Sequence, residues 1–164
     1  MADPRLQLEY LKRSYTAVDG LWFVKCEKRL GFTTALQIDH EVWCTMAKIQ
    51  ARKAAELLGL PMEGLENLGK ALSFKFEAED YGHTTQIAKQ DMLQFDVTQC
   101  PWLEILERTG RTHLAKTLIE RICHPELTAW GAQFGCTLCD SSRFGLCTNQ
   151  ATCHIVFVAD AGGD

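Results

Sequence analysis

Six of the eight cysteines in this 164-residue chain fall within its last 65 residues, and that crowding constrains the fold more than any other feature. They are Cys100, Cys123, Cys136, Cys139, Cys147 and Cys153, with only Cys26 and Cys44 before them. The opening stretch MADPRLQLEYLKRSY lacks the apolar centre of a secretory leader, and no apolar run approaches the roughly 18 residues of a membrane helix. The expected location is therefore cytoplasmic, where thiols stay reduced. Eight thiols then read as metal ligands, redox groups or small buried hydrophobes, and not as a disulfide framework.

Helical and strand periodicities partition the chain. Leu11, Tyr15, Val18 and Trp22 recur at helical spacing, and Gly31 ends that first helix. Thr34 and Gln37 form a capping-box pattern ahead of a second helix striped by Ala35, Ile38, Val42, Met46, Ile49 and Leu57, and stopped at Gly59 and Pro61. A shorter helix is expected from Met62 to about Leu72. The next segment, SFKFEAEDYGHTTQIAKQDMLQFDVTQC, alternates apolar and polar residues and is broken at DYGH and KQD, which predicts two or three antiparallel strands. Pro101 opens a helix that Gly110 closes, and RTHLAKTLIERIC forms another up to a break at Pro125. A hairpin from Cys136 to Val158 finishes the chain. The predicted fold is a single α+β domain over residues 1–164: N-terminal helices packed on an antiparallel sheet, made of the central meander and the C-terminal hairpin, with further helices between.

The closing strand gives the thiols their geometry. Alternation places Cys153, Ile155 and Phe157 on one face and His154, Val156 and Val158 on the other. A symmetric hairpin around TNQAT makes Cys147 and Cys153 cross-strand neighbours. Cys123 ends the preceding helix, and Cys100 sits where the meander meets a helix N-terminus, a position that favours thiolate. Cys100, Cys123, Cys147 and Cys153 are thus expected to converge as a tetrahedral zinc or iron site. A switchable Cys147–Cys153 disulfide is the redox alternative.

Other groups supply weaker candidates. Asp39 and Glu41 flank a helix that must cover the sheet, so an inward-facing carboxylate becomes a general acid–base candidate. His40 and Cys44 stand at i, i+4 but do not complete a zinc-helix motif. Arg121 borders an apolar helix face, where a half-buried guanidinium needs a carboxylate. Trp43 and Trp102 are candidates to wall a ligand pocket. Acidic residues outnumber basic ones, 21 to 17, which argues against nucleic acid, and no phosphate-loop, dinucleotide or serine-hydrolase motif is present.

The segments YLKRSYTAVDGLWF, ALQIDHEVW, QCPW, GRTHLAKTLIERIC and LCTNQATCHIVF resemble a group of short bacterial and archaeal proteins related to the L-2-amino-thiazoline-4-carboxylic acid hydrolase family. The C-terminal pattern is also similar to 4-vinyl-reductase-type small-molecule-binding domains. The resemblance implies that Cys100, Cys123, Cys147 and Cys153 form the chemical set, with Asp39, Glu41 and Trp43 beside a ligand. His154 stands where those hydrolases tend to carry aspartate. The expectation is a small-molecule-binding domain with a cysteine-rich metal site. A hydrolase of a small cyclic amidine or amide is the enzymatic alternative, with Glu41 as base and Cys123 or Cys153 as nucleophile, and a thiol redox sensor is the third. The expected partner is a small-molecule ligand, with no nucleic acid and no membrane; a homodimer stays open.

Overall fold

A computed structural model of the chain describes residues 3–88 and 92–160. The KQD turn expected at 89–91 lies outside the described residues. The chain divides into two compact units, Met1–Val42 and Trp43–Asp164. The architecture is α+β, with helices leading and an antiparallel sheet following.

Helix α1 (Pro4–Leu30) is capped by Asp3, whose carboxylate accepts the backbone N–H of Arg5, with Pro4 in its first turn. It ends at Gly31, whose φ of 84° suits glycine. Helix α2 (Phe32–Leu58) starts immediately, so Thr34 lies inside the first turn and does not cap it. Gly59, at φ 64°, ends it as expected.

The second unit is built around α3 (Gly64–Ala78), which extends past the expected end near Leu72. Residues Ser73–Ala78 look strand-like by alternation, yet they complete the helix. Leu72 and Phe76, four residues apart, are both buried, and Lys75 pairs with Glu79 at the same spacing. The meander therefore shrinks to two strands, β1 (Gly82–Ala88) and β2 (Met92–Gln99). Then come α4 (Pro101–Arg108), closed near Gly110 at φ 69°, a 3-10 turn (Thr112–Leu114) and α5 (Ala115–Leu118). A π-helical turn (Ile119–Cys123) leads into α6 (His124–Ala132). The end of the chain holds β3 (Cys136–Leu138), β4 (Arg143–Phe144), a 3-10 turn (Leu146–Thr148) and β5 (Cys153–Ala159).

The sheet runs β1-β2-β5-β3, with β4 also paired to β5, every pair antiparallel. In register, Val97 faces Cys153, Phe95 faces Ile155 and Leu93 faces Phe157, so these six side chains share the buried face. The alternation expected for β5 is present: Cys153, Ile155 and Phe157 are buried while His154 is exposed. The opposite face carries a polar row, in which His154 Nδ1 lies 2.6 Å from Asp96 Oδ1.

Helices α3 and α6 cover the buried face, joined by Ala47, Ala51, Ala54 and Ala55 of α2. The large apolar residues expected to form the core stripe of α2 are instead partly outside: Val42, Ile49 and Leu57 are exposed. Small side chains allow a helix backbone to approach its neighbours closely, so the alanine face is the one buried here.

Close approach also decides Gly131, on α6. A Cβ there would stand 2.6 Å from the Cys136 carbonyl oxygen and 3.0 Å from the Phe157 ring. Gly131→Ala should lower stability by about 1–3 kcal/mol, since a backbone atom cannot swing aside. Urea denaturation should show a lower midpoint at unchanged slope; an unmoved midpoint would mean α6 does not press on β5 as described.

Candidate functional site

Four chain junctions meet at the end of the sheet where β2 runs into α4. Cys100 is the N-cap residue of α4, one residue beyond β2. The backbone N–H groups of Trp102 and Leu103 and the Tyr81 hydroxyl donate hydrogen bonds to its sulfur. Pro101 serves the site because it opens the helix at that point and leaves the amides of the next two residues aimed at Cys100.

Cys123 closes the π-helical turn. Pro125, expected to break the helix here, does not. It lacks an N–H and its ring would crowd the Arg121 carbonyl, and the wide turn at 119–123 relieves both problems while the chain stays helical. Arg121 lies in that turn and is exposed, not half-buried as its spacing suggested.

Cys153 opens β5 and pairs with Phe144 on β4 and Val97 on β2. Backbone N–H groups of Gly145 and Leu146 donate to its sulfur. Cys147 is not its cross-strand neighbour: it sits on the 3-10 turn, because Thr148 and Gln150 N–H groups both fold back onto the Gly145 carbonyl. The turn still brings Cys147 to the same place from another direction.

The four thiols lie within electrostatic reach of one another. Burial pushes the Cys123 thiol well above its ordinary range, and Glu126, Cys100, Cys147 and Cys153 each add to that effect. Burial likewise raises Cys147 to about 11, with Cys100 and Cys153 contributing. Cys153 and Cys100 are raised by burial too, against the pull of the N–H donors that favour thiolate. Among the described residues, no three His, Cys, Asp or Glu side chains are arranged as they stand to hold a metal ion. All eight cysteines are free thiols.

Beside the thiols lies a buried charged group that periodicity missed. Lys75 Nζ is 2.8 Å from Glu79 Oε2 and 3.1 Å from Glu126 Oε1, with side-chain exposures of only 6%, 14% and 12%. The Glu126 contact is an ion pair and not a directed hydrogen bond, since that oxygen accepts none among the described residues. The ammonium also lies 5.3 Å from the Tyr81 ring centroid. Burial is the largest influence on Lys75 and opposes its charge, but the two carboxylates outweigh it and hold the ammonium above its ordinary range. Burial raises the Glu126 carboxyl, with Lys75 pulling the other way. The one sequence signal for this group was the Lys75–Glu79 spacing, hidden in a segment that alternates like a strand.

The remaining candidates are dispersed. Trp43 is buried and stacks edge-on with Trp102 at 5.6 Å, so those two do meet. Asp39 and Glu41 belong to the N-terminal unit; Asp39 is half-buried, while Glu41 is exposed and accepts a hydrogen bond from Gln37 at 2.8 Å. Outside the thiol cluster, an open groove of about 270 Å³ is lined by Glu120 of the π-turn and by Gly145 and Thr148, which flank Cys147.

The family described as "Family of unknown function (DUF6125)" matches residues 6–122, and the chain belongs to it. No curated protein and no solved structure matches the chain. Cys100 lies inside the matched span and Cys123 immediately after it, whereas Cys147 and Cys153 lie well beyond it.

Proposed function

We propose that the chain is a small-molecule-binding domain built on a four-cysteine metal centre, with Cys100, Cys123, Cys147 and Cys153 as ligands to zinc or iron. One observation carries the reading: four thiols from separate elements lie within electrostatic reach of one another, and two of them already accept backbone N–H bonds. Such donors stabilise sulfur as thiolate, the form a metal binds. A sulfur-only tetrahedral set suits zinc or an iron–sulfur cluster. Ligation draws the thiols inward from their present positions. The adjoining groove is the place for a small ligand next to the centre.

A thiol switch is the second reading, favoured by the free thiols and by the absence of a ready ligating arrangement among the described residues. The hydrolase alternative has less support. A cysteine nucleophile needs a lowered pKa, and burial moves Cys123 and Cys153 the other way.

Protein purified without oxygen should carry about one metal centre per chain by elemental analysis, colourless for zinc and brown for iron–sulfur. Cys100→Ser, Cys123→Ser and Cys153→Ser should each empty it, while Cys139→Ser leaves it filled. Tyr81→Phe, which removes one donor to Cys100, should weaken metal affinity by about 10- to 100-fold. Folded, metal-free wild type that forms a Cys147 disulfide on mild oxidation would transfer the site to the second reading.

A further inference from the structure

The open groove beside Cys147 carries charges that the thiols do not explain. Its volume of about 270 Å³ lies at the small end of ligand sites, so it admits a molecule of one ring and not a nucleotide. Lys116 of α5 and Ile119 and Glu120 of the π-helical turn line it, together with Arg143 and Phe144 of β4 and Thr148 of the 3-10 turn.

Arg143 is held in place without a carboxylate. Its Nη1 donates to the Asp140 carbonyl at 2.8 Å and to the Ser142 carbonyl at 2.9 Å. Among the described residues, Nε and Nη2 donate no hydrogen bond and no acid pairs with the guanidinium. Those two nitrogens form one edge of the planar group, the fork that carboxylate and phosphate oxygens accept. A guanidinium already oriented through Nη1 loses little freedom when an anion meets that edge. Lys116 also enters no ion pair among the described residues, although Glu120 stands four residues on, a spacing at which such pairs form. Two cations against one acid leave the lining net positive in a chain whose own charge is −4.

We propose that the groove binds a small organic oxyanion, a one-ring or short-chain carboxylate or phosphate ester, with its charged head on Arg143 and Lys116 and its apolar body against Ile119 and Phe144. This rests on the small-molecule reading of the same groove and not on metal at the thiols.

Titration of the full chain, followed through its backbone amides by NMR, tests the proposal with benzoate, phenyl phosphate and neutral benzamide. At least one anion should shift the amides of Arg143, Phe144 and Thr148, and the tighter of the two identifies the head group; benzamide should shift none. Arg143→Gln and Lys116→Gln should each weaken the tighter anion by about tenfold, and Glu120→Gln should strengthen it by about threefold. All three side chains are exposed, so circular dichroism should be unchanged. Benzamide binding as tightly as the anions overturns the oxyanion class while keeping a ligand groove. Shifts confined to other amides, cation variants that bind undiminished, or no binding by any probe overturn the site itself. Metal content of the same preparation separates the two proposals: anion binding by metal-free protein contradicts the metal centre alone, and metal-loaded protein that ignores both anions contradicts the oxyanion site alone.

Discussion

Lys75→Met should cost about 3–5 kcal/mol of stability, a large share of the roughly 5–15 kcal/mol available to a domain. The methionine fills a similar volume, so the loss comes from charge and not from a cavity. Glu79 and Glu126 would remain in the interior, 14% and 12% exposed, without the ammonium that offsets both. Burial already raises the Glu126 carboxyl against the pull of Lys75, and with the ammonium removed it rises further. The folded state of the variant then binds protons more readily than the unfolded chain. Its stability should therefore increase as pH falls toward the ordinary carboxylate range and decline as pH rises through the elevated folded value. Adding Glu126→Gln should recover a substantial part of the loss at neutral pH. Urea denaturation across pH reads all three expectations, and a Lys75→Met protein within about 1 kcal/mol of wild type at pH 7 would mean the triad is solvated.

Gly145→Ala should empty the proposed metal centre while leaving the sheet folded. A Cβ at Gly145 would collide with the Thr152 carbonyl oxygen and stand 2.8 Å from Gln150 Oε1. The Gly145 carbonyl also accepts the N–H groups of Thr148 and Gln150, so the same residue holds the whole turn closed. Forcing the turn off β5 moves Cys147 away and withdraws the Gly145 and Leu146 amides from Cys153. Metal affinity should fall by about 10- to 100-fold or more, because a ligand and its supporting donors are displaced together. Stability should fall less than for a core substitution, since Gly145 packs against a loop. Metal content and thermal unfolding on one preparation separate the two effects, and a fully loaded Gly145→Ala protein would show that Cys147 does not ligate.

Local rules made some of this legible before any coordinates. Pro101 and Gly110 bracket α4, Gly59 stops α2, and the Cys153–Phe157 alternation gives the buried face of β5. Each is decided by chemistry within a few residues. What escaped depends on the rest of the chain. Ser73–Ala78 alternates like a strand, but Phe76 and Lys75 are claimed by partners on β2 and α6 that favour the helix. The stripe of large residues on α2 gives way to an alanine face because the approach of α3 and the sheet rewards small side chains. Cys147 lies on a 3-10 turn because a glycine carbonyl gathers two amides, which no hairpin count anticipates. Pro125 stays helical because a π-turn absorbs its ring. The nearness of Cys100, Cys123, Cys147 and Cys153 was expected from their crowding in the sequence, whereas Lys75, Glu79, Tyr81 and Glu126 come beside them only through tertiary contacts.

X-ray absorption at the metal edge, on protein purified anaerobically, addresses the central proposal most directly. The expected spectrum has a shell of about four sulfur atoms near 2.3 Å, as zinc or iron held by Cys100, Cys123, Cys147 and Cys153 would give. A shell of nitrogen and oxygen, or folded protein holding no metal, would contradict it.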